Sequence, residues 1–569
     1  MFDSTPTSAS LATKLYPVCA APTPHQLRGR PTALVKGSRV DERTILGALM
    51  ASDAKAPGEV RLRLVGDRGY TARELLTRAA LLAGVLAESG VNSGDRVAIM
   101  MSNRIEFLDT FFAAAHIGAL SVPLNTSLRG PILEHMLRDS APAVLVIEES
   151  FTEVIGRALT KVGISPRVLV IDHAPSSFAM DTRDYATALD AAGAVPPADV
   201  TRYDDAAILY TSGTTGPSKG VLHTHNSIVA FGEKADWLFG YTPQDVAHNC
   251  LPLFHANALC VTLLPALRAG ATVVFGRRFS ASGFWQEIRD EQATVISILG
   301  AMVPILWGAQ PTEDDADNAV RVALSVPTPS AEFYDSFEKR FGLRLVSQYG
   351  MTDTSSVIGT PPDQPGRPGY SGVAHPDFEC VVADEHDMPV PDGVAGELIV
   401  RPLKPDSIMS CYWNNAQATM ETWRNLWFHT GDVLVREPDG WFRFIDRQKD
   451  AMRRFGENIS SFEVETVVAT HPCVHEVAVY AVPSELSEDE VMAAIVLVPG
   501  SVADLAELGR YCDEHLPYFA SPRYLLVVEE LPKTKNEKVL KSELRRIGVT
   551  DKTVDRGARG RKAAATPAV

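Results

Sequence analysis

Tyr210-Thr-Ser-Gly-Thr-Thr-Gly-Pro-Ser-Lys-Gly220 is the stretch that decides how this chain is read. It sets three glycines, a run of Ser/Thr hydroxyls and one lysine directly after the apolar residues 206–209. Glycine lets the backbone reach positive φ and lets amide N–H groups approach a ligand closely. Successive N–H groups in such a turn form an anion nest, and Lys219 adds a point charge. The stretch therefore reads as a loop for a polyphosphate. It is not a Walker loop, which needs Gly, four residues, then Gly-Lys-Ser/Thr. Counted from Gly213, the second Gly position holds Ser218, and Gly220 stands where a Mg²⁺-binding hydroxyl would follow Lys219. A Ser/Thr-rich surface turn is the bland alternative; the apolar lead-in, the apolar continuation (Val221, Leu222) and the internal lysine speak against it.

With 569 residues, the chain is too long for a single core, so two or more domains are expected. Its net charge of −16 excludes general nucleic-acid binding, which leaves a basic footprint, but not a local basic pocket. Seven scattered cysteines with no CxxC pair fit neither a disulfide framework nor a zinc site, and point to a reducing, cytoplasmic setting. His223 and His225 have no partner at ligand spacing, so they too are a weak zinc signal. No stretch is long and apolar enough for a membrane span, and the first forty residues lack a secretory pattern.

From about residue 70 the chain alternates helix-like segments (71–89, 106–117, 132–140) with short apolar strands (96–101, 119–123, 143–148, 167–171, 206–210, 272–275, 295–298, 322–325). That is α/β architecture with mostly parallel buried strands, whose ligands sit at strand carboxyl ends. After about residue 375, alternating strands at 378–383 and 396–400 separated by Pro/Asp/Gly turns read as antiparallel β. A helix at 459–470, strands at 476–482, 493–498 and 523–528, and a helix at 505–515 make a small α+β unit.

Read together, distant motifs carry a family resemblance. The loop at 210–220 resembles the phosphate loop of the adenylate-forming superfamily of acyl-CoA synthetases, luciferases and carrier-loading adenylation domains. Leu251-Pro-Leu-Phe-His255 looks like its aromatic/histidine motif, Tyr349-Gly-Met-Thr-Asp353 like its YGMTE motif, and Thr430-Gly-Asp432 like its TGD motif. Asp446-Arg-Gln-Lys-Asp450 is similar to the hinge, Gly456-Glu-Asn-Ile459 follows it, and Leu531-Pro-Lys-Thr…Lys538 resembles the catalytic-lysine motif. Residues 425–432 and 453–465 look most like the crotonobetaine/carnitine–CoA ligase-like group of acyl-CoA synthetases.

The resemblance implies an α/β fold: a large N-terminal domain of stacked α/β subdomains with a β-rich subdomain, and a small mobile α+β C-terminal domain. Its boundaries would be a flexible segment at 1–40, the AMP-binding domain at 41–448, the mobile domain at 449–549 with Lys449 as hinge, and a disordered tail at 550–569. It implies an ATP- and Mg²⁺-dependent acid–CoA ligase, in which a carboxylic acid is adenylated with loss of pyrophosphate and coenzyme A then displaces AMP. Lys538, Thr352 and His255 would serve the chemistry. Thr211, Ser212, Gly213, Thr214, Thr215, Gly216 and Lys219 would cradle phosphates, with Tyr349 beside adenine, Asp432 on the ribose diol, Arg447 on ribose or phosphate, and Gly456 at the pantetheine tunnel. The metal ligand would be Asp353, where the family usually has Glu; a slight shift or a water would make up the missing methylene. The residue before Lys538, usually Gly, is Glu537. The acid would meet Trp237, His255, Ala256, Asn257, Ala301, Met302, Val326 and Met351. A carrier-protein phosphopantetheine as acyl acceptor, a homodimer, and a non-catalytic nucleotide-binding member are alternatives that the resemblance admits.

Overall fold

The computed structural model of the chain describes residues 40–173, 178, 180–211, 217–299, 302–326, 328–329, 331–447, 451–484, 489–499, 501, 504–533 and 539–557. Ser212, Gly213, Thr214, Thr215, Gly216, Ala301, Lys449, Glu537 and Lys538 lie outside the described residues.

The described residues form two large α/β sheets. The first has the order Cys411–Tyr412, Lys219–Thr224, Asp205–Thr211, Leu120–Pro123, Arg96–Met100, Val144–Glu148, Arg167–Ile171, Thr182–Asp184. The second runs Arg344–Val346, Val322–Val326, Val295–Leu299, Val246–Asn249, Thr272–Phe275, Val60–Leu64, Gly69–Thr71. Both are parallel in their interiors and antiparallel only at an edge. In the strand Val144–Glu148 the first four residues are apolar and buried, because helices cover both faces of a parallel sheet.

Local chemistry sets the helix limits. Ala72–Glu88 begins with a reciprocal capping box between Thr71 and Glu74. His225–Phe239 is capped by the Thr224 hydroxyl at its start and by Gly240 at φ 55° at its end. The helix expected at 459–470 is shorter: Ile459 and Ser460 belong to the strand Glu457–Ser460, and the helix is Ser461–Val468. The Ser460 side chain accepts from the Glu463 amide, a cap that fixes the start one residue later.

The strands Phe378–Ala383, Ala395–Pro402, Trp427–Arg436 and Phe442–Arg447 pair antiparallel, the first two as their alternation indicates. The C-terminal unit is a four-stranded sheet led by Val474–Pro483, preceded by the hairpin of Ala451–Arg454 and Glu457–Ser460. One apolar cluster joins it to the first sheet, with Met452, Ile459, Val464 and Phe519 packed among Met100, Leu128, Ile132 and Ile208. That packing brings the hairpin to the carboxyl ends of the parallel strands.

Candidate active site

The phosphate-type loop sits on a hairpin rather than between a strand and a helix. Thr211 ends one strand, Lys219 begins the next, and the two residues pair across the antiparallel register. At its base Ser218 meets both halves of the molecule: His135 Nε2–H donates to its carbonyl at 2.9 Å, and Glu463 accepts its amide at 2.7 Å and its hydroxyl. Burial pushes the Glu463 carboxyl above its ordinary range.

Tyr412, which belongs to no recognisable motif, lies beneath Lys219. The ammonium lies 4.5 Å from the centre of that ring, and the Tyr412 hydroxyl donates to Asp353 Oδ1 at 2.5 Å. Asp353 is buried, and burial pushes its carboxyl up against the opposing pull of Tyr412 and Lys219. No group of three metal-ligating side chains occurs among the described residues. A single carboxylate fits Mg²⁺, which keeps several waters and is commonly held by one or two carboxylates plus substrate phosphates.

Tyr349 and Asp432 come together in the structure. The Tyr349 hydroxyl donates to Asp432 Oδ2 at 2.7 Å, and its ring lies roughly parallel to Phe444 with centroids 6.3 Å apart. Arg447 is directly opposite Asp432 in the pairing of the strands Trp427–Arg436 and Phe442–Arg447. The Thr352 carbonyl accepts from His223 Nε2–H at 2.9 Å, so His223 is a buried strut between the strand leaving the loop and the Tyr349–Asp353 segment.

That strut makes a pH prediction. Burial lowers the His223 imidazole from 6.5 to about 4, outweighing the Thr352 carbonyl that favours its charged form. The unfolded chain then holds the proton that the folded chain refuses between those values. The His223 contribution to stability is full above pH 6.5 and is lost as pH falls toward 4. The stability advantage of the wild type over His223→Gln, measured by denaturant unfolding, should shrink by about 3 kcal/mol between pH 7.5 and 4. A pH-independent difference would contradict the buried neutral imidazole.

The candidate acid-pocket residues cluster at adjacent strand ends. Val326 closes its strand opposite Leu299, the last residue of the neighbouring strand. Met302 lies just beyond, buried, its Sδ accepting from the Leu299 amide at 3.3 Å. Asn257 opens a π-helix, Asn257–Leu263, and accepts from the Asn249 side chain at 2.8 Å; such π turns recur at functional sites. Trp237 stands edge-on to His375 at 4.9 Å. Ala256 packs with Trp237 and Val326 along one core, whereas Met351 packs against the β-rich subdomain.

The C-terminal hairpin reaches this cluster. Gly456 adopts φ +81°, and a Cβ built there would overlap Leu299 Cδ1. His255 Nε2 and Glu457 Oε1 are 2.9 Å apart, and Asn125 Nδ2 donates to the same oxygen at 3.0 Å. A crevice between the two halves is lined by Asn125, Phe254, His255, Glu457, Pro517 and Phe519, among others. Asn125, Glu457 and Leu299 were not legible as site residues, because each acts only through a partner distant in sequence.

Comparison with known proteins accounts for this assembly. The model of the AMP-binding enzyme family matches residues 50–413, and that of the AMP-binding enzyme C-terminal domain matches 463–538. The crotonobetaine/carnitine–CoA ligase of Shigella flexneri is 30% identical over 485 residues, covering 84% of this chain and 93% of the relative. A double mutant of the o-succinylbenzoate CoA synthetase of Bacillus subtilis, bound with a product analogue, superposes with a TM-score of 0.77 at 26% identity, covering 88% of this chain and 98% of the other. ATP-bound MatB from Rhodopseudomonas palustris gives 0.65 at the same identity and the same coverages. The chain belongs to the AMP-binding enzyme family and is an ATP-dependent, AMP-forming acid–CoA ligase.

Proposed function

We propose that this ligase runs both half-reactions at one site and that the arrangement described above is the thioester-forming one. The observation that carries the reading is the Gly456–Glu457 turn seated against Leu299 and His255, at the pocket expected to hold the acyl group. The higher TM-score with the product-analogue complex than with ATP-bound MatB, at equal identity and coverage, supports it.

In this reading Tyr349 packs beside adenine, Asp432 accepts the ribose hydroxyls, and Thr211 and Lys219, with the loop at 212–216, hold the departing pyrophosphate. Asp353 holds Mg²⁺, which supplies charge neutralisation at the phosphates when bound. Thr352 donates to the α-phosphate, and Arg447 contacts ribose or phosphate. The acid lies among Trp237, His255, Asn257, Ala301, Met302, Val326 and Met351. The unit at 449–549 then turns about Lys449, bringing Lys538 in for adenylation and Gly456 in for thioester formation; a hinge of this kind needs only a few residues that absorb the backbone change. Most of the work is charge placement at phosphate and carbonyl oxygens. The reaction belongs in the cytoplasm, where ATP and CoA are present and the buried thiols of Cys250, Cys260, Cys411 and Cys512 stay reduced.

The test is product analysis with a panel of carnitine-like, fatty, aromatic and polycyclic acids, with and without CoA. At least one acid should give AMP, pyrophosphate and acyl-CoA in equal amounts. AMP and pyrophosphate without acyl-CoA from any acid would overturn the CoA assignment and favour a carrier protein as acceptor.

A further inference from the structure

One buried ring touches both the lysine and the carboxylate of the phosphate site. Tyr412 is 6% exposed. Its ring centre lies 4.5 Å from Lys219 Nζ, and its hydroxyl donates to Asp353 Oδ1 at 2.5 Å. The two partners come from different sheets. Lys219 opens the strand Lys219–Thr224 of the eight-stranded sheet, and Asp353 lies between Gln348–Met351 and Ser355–Gly359 of a three-stranded one. His223 ties the two backbones together through the Thr352 carbonyl; Tyr412 ties the two side chains.

Tyr412 is itself held from both sides. The Ser410 amide donates to the Leu222 carbonyl at 2.8 Å, and the Trp413 amide to the Gly220 carbonyl at 2.7 Å. The chain around Tyr412 is thus zipped to the strand that Lys219 opens, with Tyr412 opposite Val221. The Met409 amide donates to the Asp353 carbonyl at 2.9 Å, and the Tyr412 amide to the Thr419 hydroxyl at 3.0 Å. Gly220 permits this close approach: a Cβ there would lie 2.8 Å from Ile208 Cγ2 and 3.2 Å from Trp413 Cβ. A side chain fixed by such a frame can serve as a template for its neighbours.

We propose that Tyr412 is a positioning residue for adenylation: its hydroxyl engages one oxygen of Asp353 and leaves the other to Mg²⁺, while its ring seats the Lys219 ammonium for the phosphates. The inference rests on the roles given to Asp353 and Lys219 in the acid–CoA ligase reading. A ligating carboxylate takes its aim from the outer group that hydrogen-bonds it. An aromatic face attracts an ammonium without neutralising it, so the charge and the N–H donors of Lys219 remain directed to phosphate oxygens.

Substitution in the full-length enzyme separates the two contacts. Tyr412→Phe keeps the ring and removes the hydroxyl; Tyr412→Leu removes both. Mn²⁺ affinity, read by electron paramagnetic resonance with α,β-methylene ATP present, should weaken about tenfold or more in Tyr412→Phe. Pyrophosphate affinity, read by calorimetry without metal, should stay within about twofold in Tyr412→Phe and fall about threefold or more in Tyr412→Leu, the scale of a cation–π contact. The phenylalanine variant decides on its own if the leucine variant does not fold. A merely structural role would weaken both affinities alike in Tyr412→Phe, and that result overturns the inference. Asp353→Asn tests the metal assignment separately. Mn²⁺ binding that is lost in Asp353→Asn but unchanged in Tyr412→Phe overturns the role of Tyr412 alone. Mn²⁺ binding unchanged in both variants removes Asp353 as a metal ligand as well.

Discussion

Lys538→Ala is expected to lower ATP–pyrophosphate exchange about 10²–10³-fold, the cost of removing one donor from developing charge in an enclosed site. Thioester formation from preformed acyl-adenylate should lose far less. The carboxylate and the α-phosphate are both anionic when they approach each other, so the first half-reaction depends on a cation between them. The second half-reaction already has its acyl-phosphate bond and needs none. Two of the lysines flanking this position, both among the described residues, form ion pairs elsewhere. Lys533 pairs with Glu476 at 2.8 Å and Lys541 with Glu465 at 2.7 Å, both inside the C-terminal unit. Lys533→Ala is therefore the control, and its partly exposed ion pair is worth about 1 kcal/mol or less. Equal loss of the two half-reactions in Lys538→Ala would contradict the role assigned to this residue.

Many elements were legible to within a residue or two where periodicity and caps act locally, whereas the strand read at 493–498 begins at Asp489. Strands at 167–171, 272–275 and 378–383 form as their patterns indicate. The helix at 459–470 was over-extended because Ile459 fits an apolar helical face as well as a strand facing the Met452 side of a hairpin, and only the pairing decides. The motif residues Tyr349, Asp353, Asp432 and His255 were legible by resemblance, but the contacts between them and their supports were not. His255 and Glu457 are 202 residues apart, and Tyr412 is 59 residues from Asp353. Tyr412 belongs to a two-residue edge strand with no pattern of its own, Cys411–Tyr412. It enters the site only because that strand pairs with the one leaving the phosphate-type loop. His223 carries only a weak zinc signal in the sequence; its function as a strut to the Thr352 carbonyl depends on a register between sheets that a single sequence does not encode locally.

The complementary result is expected from Gly456. Leucine at this position should depress thioester formation from preformed acyl-adenylate by about 100-fold, and more than it depresses adenylation. Two effects add. Gly456 sits at φ +81°, where a side chain costs about 1–2 kcal/mol, roughly tenfold in a rate that requires this conformation. The new side chain must also enter space held by Leu299. Leu299 cannot retreat freely, since its backbone is paired with Val326 and its amide is held by Met302 Sδ. Alanine brings the backbone cost and a methyl that already overlaps Leu299 Cδ1, so Gly456→Ala should lose more than about tenfold, though less than leucine. Because the obstruction is a specific pair, shortening the partner should relieve it. Leu299→Ala combined with Gly456→Ala should recover part of the loss, a positive coupling that a double-mutant cycle on the thioester step reads directly. With Lys538→Ala, these variants divide the cycle: one substitution blocks entry into the adenylate and the other blocks its exit to CoA. Equal losses in both steps, or no recovery with Leu299→Ala, would show that Gly456 shapes the folded C-terminal unit as a whole and not the seat it takes against Leu299.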